Sequence, residues 1–273
     1  MDEASGSVTA VLLAAGAGTR LAPLTDEWPK PLMPVGGRPL LQIWLDDLWT
    51  IGVRSVVVNV HHHRREMLDF LNRPRFRNWV RVFEEERLLG TAGTLRACRG
   101  FLVGGPTLLA HADNLCRCHL ADFVAAHRER PGGHVATMMT FDTETPESCG
   151  IVETDAAGTV VAFHEKAHDP PGRRANGAVY LLQPEVLDWL DDHPGVTDFS
   201  TGVVPEFLGR IGTWHNVNVH RDIGTPAMLA AAQNDPDPRS TNAPTGGDDW
   251  DQWFKDHPIH QMVGELGRGG GEV

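Results

Sequence analysis

Short apolar runs alternate with amphipathic segments over the first half of the chain. Each run has the length and the continuous hydrophobicity of a strand that is buried on both faces. These runs are VTAVLLAA (8–15), RSVVVNV (54–60), PTLLAHA (106–112) and HVATMMTF (134–141). Between the first two, PLLQIWLDDLWTIG (39–52) places Leu41, Trp44 and Leu48 on one helical face, and Gly52 ends the helix. Regular alternation of strands and helices predicts an α/β fold with a doubly wound, mostly parallel, Rossmann-like sheet.

In the second half of the chain the strand signals follow one another more closely. GIVETDAAGTVVAFHEK (150–166) predicts two strands joined by a glycine turn, and ANGAVYLL (175–182) predicts a third. TGVVPEFLG (201–209) and TPAMLAAAQ (225–233) are interpreted as helices. We therefore predict one domain over residues 1–233, with a parallel half at 8–145 and a smaller α+β lobe at 146–233.

The C-terminal residues 234–273 are rich in Pro, Gly and Asp. This composition predicts a linker-like, disordered tail. One island within it, DDWDQWFKDH (248–257), carries aromatic residues and leaves a second interpretation open, namely a short helix or a docked segment.

Charge and cysteine content exclude several classes of function. The net charge of −12 argues against a nucleic-acid-binding protein, which normally presents a basic surface. No run approaches the ~18 apolar residues of a membrane span, and the N-terminal residues lack the basic start of a signal peptide. The four cysteines have no zinc-binding spacing: Cys98, Cys116, Cys118 and Cys149. We expect a cytoplasmic protein with reduced thiols that binds neither membranes nor nucleic acids.

The loop after the first strand, LAAGAGTRLAPLTDEWPKPL (13–32), is the strongest local indication of a ligand site. Ligands of open α/β sheets bind at the carboxyl ends of the strands, where this loop begins. Gly16 and Gly18 allow a close backbone approach to phosphate oxygens, and Arg20 and Lys30 add positive charge. The alternative is a tight turn with surface charges. A Walker loop is absent, and Leu21 replaces the third glycine of a dinucleotide fingerprint, so neither of these phosphate loops is present.

The longer run LAAGAGTRLAPLTDEWPKPLMPVGGRPLL (13–41) resembles the signature of the sugar-1-phosphate nucleotidyltransferases, G-x-G-T-R followed after nine residues by K-P. Further segments resemble the family in the same order: LGTAGTL (89–95), HADNL (111–115), CGIVETDAAGTVVAFHEK (149–166), ANGAVYLL (175–182) and DIGTPAML (222–229). The resemblance covers roughly residues 8–233 and is greatest to mannose-1-phosphate and heptose-1-phosphate guanylyltransferases.

The resemblance implies that a sugar-1-phosphate oxygen attacks the α-phosphorus of a nucleoside triphosphate, which gives a nucleotide sugar and pyrophosphate. Both reactants are anionic, so the protein must position them and neutralise charge. The catalytic residues implied are Arg20, Lys30 and Asp113. Mg²⁺, for which Mn²⁺ can substitute, is assigned to Asp113 and Asp222, although each aspartate taken alone also reads as a helix cap. The nucleotide residues implied are Leu13, Ala14, Ala15, Gly16, Gly18, Thr19, Arg20, Lys30, Leu89, Gly90, Thr91 and Gly93.

The same resemblance makes residues 8–145 the nucleotide-binding half and residues 146–233 the sugar-phosphate-binding half. The sugar-phosphate residues implied are Asn114, Gly150, Glu165, Lys166, Asn176 and Gly177. Two positions depart from the family pattern. Ala112 stands where glycine is usual before the first aspartate, and Cys149 stands where tyrosine is common, which leaves the sugar open.

The segment LLGTAGTL (88–95) is similar to that of guanylyltransferases and favours GTP, with dTTP or UTP as the alternative. A second alternative is a catalytically silent homologue that binds a nucleotide sugar and regulates a partner. The joint presence of Arg20, Lys30, Asp113, Lys166 and Asp222 argues against it. A nicotinamide-dependent oxidoreductase is disfavoured by the missing third glycine. We expect a monomer or a small homo-oligomer.

Overall fold

The computed structural model describes residues 7–102, 104–237 and 247–266. These residues form a nine-stranded mixed sheet, two two-stranded ribbons and the helices packed around them. The predicted α/β class is confirmed by this architecture. No helix in the described ranges is long and apolar enough to cross a membrane.

Four parallel strands form one half of the sheet in the order β6-β1-β4-β5. Their bounds are β1 Thr9–Leu13, β4 Val56–Val60, β5 Val80–Glu84 and β6 Thr107–His111. The helices of this half are α1 Leu24–Glu27, α2 Leu40–Thr50, α3 Arg64–Leu71, α4 Thr91–Ala97 and α5 Leu120–Arg128. Strands β4 and β6 lie on opposite sides of β1, which is the strand order at whose carboxyl edge open α/β sheets bind ligands.

The second half of the sheet is organised around one long strand, β11 Arg174–Leu182, which pairs antiparallel with β6, β8 and β9. The other strands of this half are β8 Ala136–Asp142, β9 Gly150–Thr154, β10 Val160–Glu165 and β12 Ile211–His215. Strand β10 pairs with β9, and β12 pairs with β8. The ribbon β2 Pro34–Val35 with β3 Arg38–Pro39 precedes α2, and the ribbon β7 Asn114–Cys116 with β13 His220–Asp222 lies beyond β6. The antiparallel pairs confirm a change of architecture after the parallel half. The predicted boundaries at 8–145 and 146–233 stay predictions.

The core lies on both faces of the sheet, as continuous apolar strands require. In β1, Ala10 and Leu12 pack into one cluster with α2 and α3, whereas Val11 and Leu13 pack into another with α4. Successive strand residues point to opposite faces, so one buried strand supplies both clusters.

Several elements differ from the sequence-based expectation. Helix α6 Pro184–Asp192 and strand β12 were not predicted, and the expected helix at 201–209 is instead a short π-helical turn, Phe199–Val203, followed by a 3-10 turn, Val204–Phe207. Pro205 has no amide hydrogen to continue an α-helix at that point.

The linker-like interpretation of residues 234–273 is wrong for residues 247–266. After α7 Pro226–Ala232, this segment forms α8 Asp249–Lys255 and α9 Ile259–Leu266, which are docked on the core. Phe254, Ile259 and Val263 are buried, and Asp248 caps α8 in a reciprocal capping box. The polar residues around the island dominate the composition, whereas a few buried side chains determine the docking. Residues 238–246 and 267–273 lie outside the described residues.

Candidate active site

The loop after β1 is held in place by local hydrogen bonds and by close packing at Gly18. Gly18 has φ +65°, and a Cβ there would lie 3.0 Å from Thr25 Cγ2 and 3.1 Å from Lys30 Cβ. Only glycine satisfies both the conformation and the space. Thr25 Oγ1 also donates to the Gly18 carbonyl at 3.0 Å. These contacts pack the glycine turn directly against Lys30.

Four residues that the sequence singled out meet in one charged cluster. Lys30 Nζ donates to Asp113 Oδ2 at 2.8 Å and to Asp222 Oδ1 at 2.7 Å. Arg20 Nη2 donates to the second oxygen of Asp222 at 2.7 Å. The Lys30 side chain is 5% exposed, whereas that of Arg20 is 69% exposed. We call these four residues the Lys30 cluster.

The ribbon formed by β7 and β13 brings the two aspartates together. Asp113 lies between β6 and β7, directly before Asn114, and Asp222 ends β13, where it pairs with Asn114. The Asn114 carbonyl accepts a hydrogen bond from Trp44 Nε1 at 2.9 Å, which fixes the ribbon on α2. Residues that are far apart in the chain therefore reach a single ammonium group.

Two titratable groups have pKa values shifted from the ordinary ones: Asp222, in the Lys30 cluster, and His220, two residues before it in the chain. Burial acts to raise the pKa of Asp222, but the charges and hydrogen bonds of Lys30 and Arg20 outweigh it, so the pKa is lowered. Burial, reinforced by His111, lowers the pKa of His220 to about 4. At neutral pH, Asp222 is an anion and His220 is a neutral imidazole.

The carboxylates of Asp113 and Asp222 fit a Mg²⁺ ion that takes few of its ligands from the protein. In the described ranges no three His, Cys, Asp or Glu residues are grouped to hold a metal. Mg²⁺ commonly takes one or two carboxylates and completes its shell with substrate phosphates and water. Two aspartates beside a predicted phosphate-binding loop match that arrangement, and the metal stays a prediction.

The predicted base-binding segment is a tight turn at the start of α4. Gly90 has φ +79°, and a Cβ there would lie 2.4 Å from the Thr197 carbonyl oxygen. The same carbonyl accepts a hydrogen bond from Ala92 N at 2.9 Å. Thr91 Oγ1 accepts a hydrogen bond from Phe199 N at 2.7 Å. This turn, with Leu89, Gly90, Thr91 and Gly93, is thus fixed by residues of the second half.

Sequence reasoning missed Asn59 and Glu85, which join the two nucleotide segments. Ala14 N donates to Asn59 Oδ1 at 2.6 Å, and Asn59 Nδ2 donates to Glu85 Oε1 at 2.9 Å. The other Glu85 oxygen accepts a hydrogen bond from Leu89 N at 3.1 Å. Both side chains are buried. The detectable indication was a lone polar residue, Asn59, inside the apolar run SVVVNV.

The predicted sugar-phosphate residues of β9 and β10 lie together. Gly150 pairs with Glu165, and a Cβ at Gly150 would lie 2.5 Å from Phe163 Cζ and 2.7 Å from Glu165 Oε2. Lys166 has φ +48°, and its Nζ lies 3.7 Å from Glu165 Oε1. In the part of the chain that the structure describes, neither Glu165 nor Lys166 shares an ion pair with the Lys30 cluster.

Asn176 and Gly177 lie at a register shift in β11 that runs close to the β7–β13 ribbon. Asn176 Nδ2 donates to Tyr180 Oη at 2.6 Å. A Cβ at Gly177 would lie 3.1 Å from the Met139 carbonyl oxygen and 3.4 Å from His220 Cε1. These positions connect the second half to the ribbon that carries Asp222.

The departures at Ala112 and Cys149 have different surroundings. Ala112 is fully buried in the core, and its amide donates to the Leu13 carbonyl at 3.0 Å. Cys149 is partly buried, and its carbonyl accepts a hydrogen bond from Lys166 N at 3.0 Å. The thiol therefore lies at the start of the predicted sugar-phosphate segment.

Comparisons with known proteins identify the family of this chain. The family model described as nucleotidyl transferase matches residues 9–237. The chain is 30% identical to mannose-1-phosphate guanylyltransferase 1 of Arabidopsis thaliana, over 80% of this chain and 61% of that protein. It is 29% identical to the mannose-1-phosphate guanylyltransferase of Mycobacterium tuberculosis, over 82% of this chain and 63% of that protein. The chain thus spans less than two thirds of these relatives' own lengths.

A solved structure shares the fold. It is that of a protein from Bacillus anthracis assigned as a glucose-1-phosphate thymidylyltransferase, in complex with a sucrose. The TM-score is 0.73 at 19% identity, over 83% of this chain and 94% of that chain. At this identity the likeness shows the fold alone. With the family match over residues 9–237, the chain belongs to the nucleotidyl transferase family.

Proposed function

We propose that this chain is a sugar-1-phosphate guanylyltransferase, which joins GTP to a sugar-1-phosphate and releases pyrophosphate. The observation that carries the proposal is the Lys30 cluster at the carboxyl edge of the sheet, directly behind a glycine turn. The preference for GTP is supported by the guanylyltransferases among the relatives and by the segment LLGTAGTL.

Charge exchange in the Lys30 cluster is the first step of the proposed mechanism. Without substrate, Asp113 and Asp222 neutralise Lys30 and Arg20. An incoming triphosphate competes for both cations and frees the two carboxylates. Asp113 and Asp222 would then hold Mg²⁺, which supplies charge neutralisation on the phosphates when it is bound. Lys30 and Arg20 stabilise the negative charge that develops on the leaving pyrophosphate.

The chemical step needs no nucleophile from the protein. An oxygen of the sugar-1-phosphate forms a bond to the α-phosphorus. The bond from that phosphorus to the oxygen that bridges it to the β-phosphorus breaks, and this oxygen leaves with the pyrophosphate. The triphosphate would be received by the end of β1 and the glycine turn, which comprise Leu13, Ala14, Ala15, Gly16, Gly18 and Thr19. Lys166 and Glu165 would receive the sugar phosphate, with Asn114, Gly150, Asn176 and Gly177 beside it.

Pyrophosphate release tests the proposal directly. GTP, ATP, UTP and dTTP are each incubated with Mg²⁺ and a panel of hexose- and heptose-1-phosphates. We expect release with GTP and a subset of these sugars. Release with dTTP or UTP in place of GTP contradicts the nucleotide assignment, and nucleotide-sugar binding without turnover in any pair supports a silent regulatory homologue instead.

Arg20→Ala provides the residue-level test, with Arg54→Ala as its matched control. Arg54 precedes β4 at the opposite edge of the sheet and stacks on Trp49 at 3.7 Å. Removing one charge-assisted contact to a developing charge costs about 2–4 kcal/mol of transition-state stabilisation. We expect that loss in kcat/KM for Arg20→Ala alone, with little change in Tm because the side chain is exposed. Equal activity in the two variants would contradict the role of Arg20.

A further inference from the structure

The C-terminal helices α8 and α9 lie outside the region matched by the family model, yet they pack against the loop that carries Lys30. The family match ends at residue 237, and the helices occupy Asp249–Lys255 and Ile259–Leu266. The contact is made by the ring of Trp28, which belongs to the loop that carries Lys30. It is 3% exposed, and its centroid is 4.2 Å from His257, 5.9 Å from Trp253 and 6.0 Å from Phe254. Helix α8 therefore covers Trp28.

Trp28 is tied in turn to the backbone around Lys30. Its Nε1 donates to the Leu32 carbonyl at 2.9 Å, so the indole spans the short turn Lys30–Leu32. The turn is buried on all three residues. A shift of the indole would therefore move the segment from which the Lys30 ammonium reaches Asp113 and Asp222.

Helix α8 is anchored independently on its other side by a buried arginine. Arg73 is 4% exposed and donates to both carboxylate oxygens of Asp248, each at 2.8 Å. Its Nη2 also lies 2.7 Å from Asp251 Oδ1. Asp248 and Asp251 form the capping box of α8, so their ion pairs with Arg73 fix the first turn of the helix.

Helix α9 packs against helix α7. Its residues Ile259 and Val263 share a buried cluster with Leu229 and Ala232 of α7. Helix α7 follows Asp222 after a short connection. The C-terminal helices thus contact both Trp28, which is hydrogen-bonded to the turn that carries Lys30, and the helix that follows its partner Asp222.

We propose that α8 and α9 are a positioning element of the active site, which holds the Lys30 ammonium between Asp113 and Asp222 by packing against Trp28. The importance of Lys30 for turnover rests on the proposed function. The position of the Lys30 ammonium does not depend on the proposed function, and it can be tested without turnover.

Acylation of lysines measures that position. The chain has three lysines, Lys30, Lys166 and Lys255. Lys30 is almost fully buried and bonded to two carboxylates, whereas the Lys166 side chain is 68% exposed and serves as an internal reference. The folded full chain is treated with acetic anhydride, and the rate at each lysine is followed by mass spectrometry of peptides. We expect Lys30 to react at least about tenfold more slowly than Lys166, because it must first open locally.

Phe254→Ala removes the support under Trp28, and Phe207→Ala is the matched control. Phe207 is also buried but belongs to the other core cluster, where it contacts Trp189. We expect Phe254→Ala to raise the Lys30 rate, relative to Lys166, by at least about threefold, since a cavity makes local opening more frequent. Phe207→Ala should change this ratio by less than about 1.5-fold. An unchanged ratio in Phe254→Ala, or an equal rise in both variants, would overturn the proposal.

Trp28→Phe keeps the test decisive if Phe254→Ala does not fold. It retains an aromatic ring against α8 but deletes the donor to the Leu32 carbonyl. We expect the Lys30 ratio to rise in this variant as well. Lys30 reactivity that stays at the wild-type level would show that the indole does not hold the turn.

Turnover then connects position to catalysis. Phe254→Ala should lower kcat/KM for GTP at least about tenfold, whereas in a Lys30→Gln background it should add less than about twofold, because both changes act through one group. Multiplicative losses would contradict coupling through Lys30. Absence of pyrophosphate release in the wild type would refute the proposed function, while the acylation rates would still decide the positioning role.

Discussion

The Lys30 ammonium lies 2.7 Å from one oxygen of Asp222, and the Arg20 guanidinium lies 2.7 Å from the other. A single carboxylate therefore binds both cations of the predicted phosphate loop. Since β13 ends at Asp222, the second half of the chain neutralises the phosphate loop of the first. The nucleotide must replace this contact if it is to reach the same cations.

The first prediction concerns acid stability. The folded pKa of Asp222 is lowered, so its ion pairs stabilise the fold above the unfolded pKa of about 3.9, and this stabilisation is lost as the pH falls through the folded pKa. The difference in unfolding free energy between wild type and Asp222→Asn should be constant from about pH 8 to 5 and should shrink below about pH 4. Denaturant titrations at several pH values measure it. A difference that grows on acidification would contradict the ion pairs.

The second prediction also concerns pH but lies away from the active site. Burial, aided by Arg130, lowers the pKa of His127 to about 4, and its ring nitrogens contact Thr137 Oγ1 at 2.8 Å and Gln183 Nε2 at 2.7 Å. Below about pH 6.5 the unfolded chain binds a proton at this histidine, whereas the folded chain does not. The free energy of unfolding therefore decreases as the pH is lowered from about 6.5 to 4. His127→Gln should flatten that decline by up to about 3 kcal/mol.

His168→Gln is the matched control for this pH dependence, because His168 is exposed. It should leave the decline in stability unchanged. A decline that is equally steep in wild type and in His127→Gln would mean that the buried imidazole is protonated in the fold.

The third prediction separates the two substrates. Lys166 lies on the β9–β10 edge and pairs with Glu165 rather than with the Lys30 cluster. Lys166→Ala should raise KM for the sugar phosphate about tenfold or more, as expected for the loss of a charged contact, with KM for GTP changed less than about twofold. Steady-state kinetics with each substrate varied in turn measures both. An equal loss of GTP affinity would place Lys166 in the nucleotide subsite.

The fourth prediction concerns truncation after Asp237. Linker composition predicts a harmless deletion, but the structure shows three buried apolar side chains in the removed segment and a buried Arg73 whose carboxylate partners would be lost. Removing the partner of a buried charge costs about 3–5 kcal/mol, so we expect a large drop in Tm. Arg73→Met in the truncated chain should recover part of the loss. A truncated chain with the wild-type Tm would contradict the docking of α8 and α9.

Sequence reasoning succeeded where one local period determines the outcome. Continuous apolar runs identified β1, β4, β6 and β8, because burial of a strand on both faces leaves a direct trace in the sequence, and helical spacing identified α2. The glycine turn was identified from the two glycines that follow the first strand, and the structure adds that Gly18 has a positive φ and packs against Lys30.

Contacts made across the fold could not be predicted in this way. Neither the position of Lys30 between the two aspartates nor the path from Ala14 through Asn59 and Glu85 to Leu89 has a local pattern. The docking of α8 depends on a few residues, above all Phe254 and the Arg73 partners, within a segment of polar composition. These features depend on contacts between single residues that are far apart in the chain, and the composition of a segment does not reveal such contacts.

The most direct test of the active site is a double-mutant cycle on Asp113 and Asp222. kcat/KM for GTP is measured at saturating Mg²⁺ for Asp113→Asn, Asp222→Asn and the double variant, each assayed well below its Tm. Because the two carboxylates share Lys30 and are proposed to share one ion, we expect each single change to abolish most turnover and the double variant to be little worse than the worse single. Losses that multiply as independent effects would show that Asp113 and Asp222 do not act as one unit, which would contradict the proposed active site.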